Sequence, residues 1–149
     1  MQKPKLLVSA CLMGVNCKYN GTSNENDEVL KLGETFELIP ICPECDGGMS
    51  TPRHPSEILN NCVVNSIDED VTAQFLKGAK IALEIAKTQG INIALFKERS
   101  PSCGVNFIYD GSFSKRLIKG KGITAKLLHD NNVTVYSEEE LSKLKAQYK

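Results

Sequence analysis

Short apolar runs of strand length alternate along this chain with stretches whose apolar residues recur every three or four positions. Residues 5–10 make the first run, ending at Cys11, and residues 36–41 the second, ending at Cys42. Between them lies a Gly/Asn-rich loop from Met13 to about Asn26, then a short helix predicted over 27–32 and stopped by Gly33. Prolines and the Gly47-Gly48 pair predict loop across 43–55, and a brief strand follows over 62–66. The clearest helix starts at Asp70, a suitable N-cap. Val71, Phe75, Ala79 and Leu83 repeat on one of its faces, Leu76, Ala82 and Ala86 widen that face, and Gly90 stands where a C-terminal cap belongs. Residues 91–96 read as a buried strand, and Phe107, Tyr109, Asp110-Gly111 and Phe113 as a small hairpin. A helix over 123–128, a strand over 133–136 and a helix over 137–147 opened by the Ser137/Glu140 box complete the pattern.

Strands alternating with helices predict an α/β fold: one Rossmann-like domain over 1–149, with a mainly parallel sheet flanked by helices. In such sheets ligands bind in the crevice beyond the carboxyl ends of the strands. Cys11 and Cys42 each close a strand-like run, and Cys103 lies in the loop after a third. The cysteines are therefore expected to gather at that edge.

Composition narrows the partners. Eighteen basic residues balance eighteen acidic ones, so no net charge draws the chain to nucleic acid or to an anionic membrane. No apolar stretch approaches the ~18 residues of a membrane span. Six cysteines in 149 residues is the unusual count. Disulfide frameworks belong to small secreted chains, whereas this one is long enough to bury its own core. Lys3 and Lys5 before Leu6-Leu7-Val8-Ser9-Ala10-Cys11 imitate a lipoprotein leader. The apolar segment is nonetheless shorter than the ~7–15 residues of a signal core, so a cytoplasmic protein with reduced thiols is expected.

Reduced cysteines at strand ends suit a soft metal, because thiolate sulfur is an electron-rich donor for iron–sulfur clusters or zinc. Cys11, Cys42 and Cys103 are the candidate set; singly, each would be no more than a small buried hydrophobe. Cys42-Pro43-Glu44-Cys45 also allows half of a zinc site, for which no second half exists, or a dithiol of thioredoxin type. A dithiol of that kind opens a helix, and Asp46-Gly47-Gly48 is a poor helix start. Cys17 is a fourth ligand or a packed thiol, and Cys62 reads as core. His54 and His129 have no paired-ligand spacing; His129, on the last turn of a helix, serves the helix dipole. Glu44 is the candidate acid or base. Ser100 and Ser102 either position a water or stabilise the turn before Cys103. Arg53, Lys97 and Arg99 are candidates for an anionic substrate group, against the plainer reading of solvated charges.

Several blocks carry a resemblance to a known family. Val8-Ser9-Ala10-Cys11-Leu12-Met13-Gly14 followed by Cys17-Lys18-Tyr19-Asn20-Gly21 resembles the opening signature of the thiouracil desulfidase family, long catalogued as a domain of unknown function, DUF523. The likeness continues in order through Cys42-Pro43-Glu44, Gly47-Gly48, Thr51-Pro52-Arg53, Asp70-Val71-Thr72, Gly78-Ala79, Lys97, Ser100-Pro101-Ser102-Cys103-Gly104, Tyr109-Asp110-Gly111 and Gly120-Lys121-Gly122. Met49-Ser50 departs from the Leu-Pro pair more usual there. The resemblance implies a [4Fe–4S] cluster held by Cys11, Cys42 and Cys103 alone, leaving one iron open. It implies Glu44 as acid/base and Ser100 as its partner, with Ser102 as the substitute; Arg53 and Lys97 stay the substrate-binding candidates on residue type alone. The reaction implied is a non-redox replacement of the C=S sulfur of a thiolated pyrimidine or similar small molecule by oxygen. Two rival readings remain: an iron–sulfur sensor or sulfur carrier without turnover, and a structural zinc module built on Cys42 and Cys45.

Overall fold

In the computed structural model, which describes residues 3–148, the elements in chain order are β1 (Lys5–Ser9), α1 (Asp27–Lys31), β2 (Glu37–Ile41), α2 (Pro43–Asp46), β3 (Ser56–Leu59), β4 (Cys62–Asn65), α3 (Thr72–Gln89), β5 (Ile93–Phe96), β6 (Phe107–Tyr109), β7 (Leu117–Lys119), α4 (Ile123–Asp130), β8 (Thr134–Ser137) and α5 (Leu141–Gln147). β2, β1, β5 and β8 lie side by side in that order, and every pairing is parallel. The near-continuous apolar character of β1 and β5 follows, because a parallel sheet is covered on both faces. Leu6, Val8, Ile93 and Leu95 turn to one side, against Val29 of α1 and Leu144 of α5. Leu7, Ala94 and Phe96 turn to the other, against Ala82 and Ala86 of α3 and Ala125 and Leu128 of α4. The α/β parallel-sheet expectation holds.

From β1 the chain moves outward to β2 and later returns to β5 on the opposite side of β1. The connections leaving β1 and β5 therefore diverge, and a crevice opens between them at the carboxyl ends. Cys11 follows β1 and Cys103 follows β5, so both border that crevice.

The structure departs from the sequence pattern in particular places. Residues 43–55 are not all loop: Cys42 is extended, Pro43 takes the first helical position, and one turn of α2 runs to Asp46. Proline at that position needs no N–H and arrives with its φ already helical. α2 rests on α3 backbone to backbone, because a Cβ on Gly78 would strike the Pro43 carbonyl and one on Gly47 the Gln74 carbonyl. Strand β3 had no apolar signal to announce it; it exists by pairing with β4 as a hairpin. That hairpin lies against α3 through Val63, Val71 and Phe75. Gly33 does not stop the helix of α1, which tightens into a 3-10 turn over Leu32–Glu34. Leu76, expected on the buried face of α3, is 46% exposed; the buried stripe is Phe75, Gly78, Ala79, Ala82 and Ala86. Cys62 is exposed rather than core. Asp70 caps α3 from one residue further out than expected, its Oδ1 accepting the Thr72 amide at 2.9 Å. The Ser137/Glu140 box forms, but it opens a 3-10 turn, Glu138–Glu140, ahead of α5. Gly90 closes α3 in the left-handed conformation, as its position predicted. Among the described residues, no helix is long and apolar enough to cross a membrane.

Candidate active site

Three adjacent parallel strands deliver three thiols to one edge. β1 runs into a 3-10 turn, Ala10–Met13, that carries Cys11; Cys42 links β2 to α2; Cys103 lies in the loop after β5. Cys11 and Cys42 are half-buried and Cys103 is buried. Each sulfur lies within electrostatic reach of the other two. Polar groups border them: Asn24 Nδ2 donates to Cys11 Sγ at 3.5 Å, and Ser102 Oγ lies 3.7 Å from Cys103 Sγ. The Ser9 hydroxyl accepts the Lys97 amide at 3.0 Å and favours the ionised form of Cys103 beside it.

Burial pushes the Cys11 and Cys103 thiols above their ordinary value, and mutual repulsion adds to it. For Cys42 a hydrogen bond with the Cys17 thiol does so first, with burial adding to it. A thiol becomes a thiolate there only when a positive centre replaces the lost water. Three such sulfurs, with a hydrogen-bond donor aimed at Cys11 and hydroxyls beside Cys103, fit an iron–sulfur cluster, whose sulfur ligands are tuned by such groups. Among the described residues, no three His, Cys, Asp or Glu side chains close on a single ion. A mononuclear zinc site would draw its sulfurs to ~4 Å from one another, given Zn–S bonds of ~2.3 Å, whereas a four-iron cluster spaces them more widely.

Beside the thiols stands a carboxylate fixed at both oxygens. Arg53 Nε meets Glu44 Oε1 at 3.1 Å, and Ser102 Oγ donates to Glu44 Oε2 at 2.8 Å. The rest of the guanidinium is also engaged. Nη2 donates to the Cys17 carbonyl at 2.9 Å, and Nη1 to Thr51 Oγ1 at 3.1 Å and the Ser50 carbonyl at 3.3 Å. Ser100 is one step further away. Its Oγ accepts the amides of Ser102 (3.1 Å) and Cys103 (3.0 Å) and lies 3.0 Å from Ser102 Oγ. With both acceptor positions of Ser100 used, its proton points to Ser102, whose own proton points to Glu44. The hydroxyls thus form a one-way chain, Ser100 to Ser102 to Glu44. Ser102, the substitute in the sequence reading, is the residue in contact with the carboxylate.

Lys97 borders the thiols too, within reach of Cys11. Its Nζ pairs with Glu138 Oε2 at 2.9 Å and donates to the Glu98 carbonyl at 3.1 Å. Arg99 points away, into an ion pair with Glu139 at 3.0 Å. His129 is exposed on the last turn of α4, as expected there, with its Nδ1 3.5 Å from Asp130.

Four supporting residues escaped the sequence reading: Ser9, Asn24, Glu98 and Glu138. Glu98 is 2% exposed and accepts the amides of Val105 (2.8 Å), Asn106 (2.8 Å) and Phe107 (3.1 Å), with Asn106 Nδ2 at 3.0 Å. Burial alone would raise its carboxyl, but these donors outweigh burial and hold it below the ordinary glutamate value. The Ser100–Cys103 turn is thereby pinched between Glu98 and the segment it gathers. α4 closes the other side: Ile123 donates to the Pro101 carbonyl at 2.8 Å, and Thr124 to that of Ser102 at 2.9 Å. No sequence signal marks Glu98 or Glu138, since each is one glutamate among many; Ser9 and Asn24 sit in strand and loop contexts that read as structural.

Comparison with known proteins identifies the family. A family model described as 2-thiouracil desulfurase matches residues 6–140. An uncharacterized Bacillus subtilis (strain 168) protein, YbbK, is 40% identical over 147 residues, covering 92% of this chain and 97% of its own. A solved structure, the [4Fe–4S]-dependent thiouracil desulfidase TudS, superposes with a TM-score of 0.92 at 41% identity, covering 97% of each chain. This chain belongs to the 2-thiouracil desulfurase family.

Proposed function

We propose that this protein is a [4Fe–4S]-dependent desulfidase that turns the C=S group of a thiouracil-like pyrimidine into C=O, with water as the oxygen source and hydrosulfide as the leaving group. Cys11, Cys42 and Cys103 would hold the cluster. When bound, it supplies an iron without a protein ligand, a Lewis acid for the thiocarbonyl sulfur. The observation that carries the reading is Glu44, clamped between Arg53 and Ser102 at the same edge as the three thiols. The likeness to TudS over nearly the whole chain supports it.

Glu44 is the general base for a water attacking the C=S carbon, and it returns the proton as the sulfur departs. Ser102 holds Oε2 in line, and Ser100 acts through Ser102 by fixing the direction of its hydroxyl. Arg53, buried and bound to a protein acceptor at each of its three nitrogens, orients Glu44 rather than gripping substrate. Lys97 keeps one N–H beyond its two protein partners, and a carbonyl oxygen of the pyrimidine is a suitable acceptor.

The test is anaerobic reconstitution followed by an iron and sulfide count and an assay of sulfide release from 2-thiouracil. Wild type should bind the cluster and release sulfide. Glu44→Gln should keep the iron and lose turnover by a factor of ~100–10,000. Undiminished release by that variant rejects the role of Glu44, and a colourless, zinc-loaded protein rejects the cluster.

A further inference from the structure

The Cys42-Pro43-Glu44-Cys45 segment does open a helix, and this revives a reading that the sequence alone disfavoured. Cys42 caps α2 and Cys45 lies on the same turn, three residues on, a spacing that brings two side chains onto one helix face. Both thiols turn toward one acceptor, the Cys17 carbonyl, with Cys42 Sγ at 3.8 Å and Cys45 Sγ at 3.9 Å. Cys45 is half-buried rather than enclosed, and no part of the reading above uses it. Its sulfur lies 3.2 Å from Thr51 Oγ1 and 3.7 Å from Arg53 Nη1. Burial holds the Cys45 thiol above its ordinary value, and the hydroxyl and guanidinium in these places act against it, favouring the thiolate as it forms.

From this arrangement we infer that Cys42 and Cys45 form a reversible dithiol–disulfide pair acting on small disulfides, so that oxidation withdraws Cys42 from the cluster. The inference rests on the ligand role of Cys42 given above. The exchange balances without any further reagent. The Cys45 thiolate attacks one sulfur of a low-molecular-weight disulfide, forming a mixed disulfide and expelling one small thiolate. The Cys42 thiolate then attacks Cys45 Sγ, closing the protein disulfide and expelling the second. Two protein thiols are oxidised, one small disulfide is reduced to two thiols, and the two protons leave with them. Cys11 and Cys103 alone would then remain to face the cluster. Cα atoms three apart on a helical turn fall within the ~4.4–6.8 Å that a disulfide spans, so closure asks for no rearrangement of the backbone.

The experiment exposes anaerobically reconstituted full-length protein to oxidised glutathione, following iron release by absorbance and thiol state by differential alkylation. Trypsin gives a peptide, residues 32–53, whose cysteines are Cys42 and Cys45 alone. It should become lighter by two hydrogens as iron is lost, and dithiothreitol with iron and sulfide should restore both. Cys45→Ser should load the same iron but release it severalfold more slowly, with no internally oxidised peptide. A Cys17–Cys42 linkage, a glutathione adduct on Cys45 that never closes, or equal iron release by wild type and Cys45→Ser overturns the proposal. Should Cys45→Ser fold poorly, the wild-type peptide mass still decides. That mass reports the bond whether or not any thiouracil is turned over, so this inference and the desulfidase reading fail by different measurements.

Discussion

The two loops that face each other across the candidate site are held by opposite means. On the β2 side, α2 is seated by close approach: Gly78 and Gly47 let the backbones of α2 and α3 touch, and Arg53 then ties Glu44 in place. On the β5 side the turn is held by charge and hydrogen bonds. A buried carboxylate, Glu98, gathers three amides, and the first turn of α4 takes the carbonyls of Pro101 and Ser102. One side is positioned by the absence of side chains, the other by a single side chain. A carboxylate and its hydroxyl partner, far apart in sequence, hold a 2.8 Å contact because both supports are stiff.

The contrast can be broken on one side at a time. Glu98→Ala should have the largest effect, since it leaves three inward-facing amides without an acceptor; a loss of about 3–5 kcal/mol is expected in urea unfolding. Hydrogen exchange should quicken at Val105, Asn106 and Phe107 and leave α2 alone. Glu98→Gln, which keeps an acceptor oxygen, should lose less. Gly78→Ala should come next, at about 1–3 kcal/mol, because the new methyl overlaps the Pro43 carbonyl. Its damage should fall on Cys42 and Glu44, seen as reduced iron loading with the exchange of 105–107 unchanged. Acid provides the gentlest probe. The folded-state pKa of Glu98 lies below its ordinary value of 4.5. Its contribution to stability is therefore complete above that value and is lost as the pH falls through the folded pKa. Wild type should lose stability below about pH 4.5 more steeply than Glu98→Gln; matching slopes would show that Glu98 does not tighten the β5 side through its charge.

The same contrast explains what could be read beforehand. Hydrophobic period revealed β1, β2, β5, β8 and α3, because burial on both faces of the sheet dictates residue type. Cysteines at strand ends, Glu44 and the two serines stood out because their chemistry is uncommon in those positions. α2 was hidden: one turn of helix has no period, and the proline that starts it reads as a breaker when its neighbours in space are unknown. Ser102 rather than Ser100 meets Glu44 because Ser100 is consumed by the amides of its own turn, a competition no spacing displays. The exposure of Leu76 and Cys62 follows from which faces the tertiary packing covers, which local pattern does not encode.

Glu138 joins the Lys97 side chain to the Glu98 amide, and it arrives from the segment after β8, well beyond Cys103 in the chain. During synthesis, which proceeds from the N-terminus, all three thiols leave the ribosome before the residue that fastens this side of their pocket. Until then the β5 loop lacks its outer brace. Loading of iron and sulfide onto a fully braced pocket is consequently an event for the finished polypeptide, and a nascent chain stalled before residue 138 should hold the cofactor poorly.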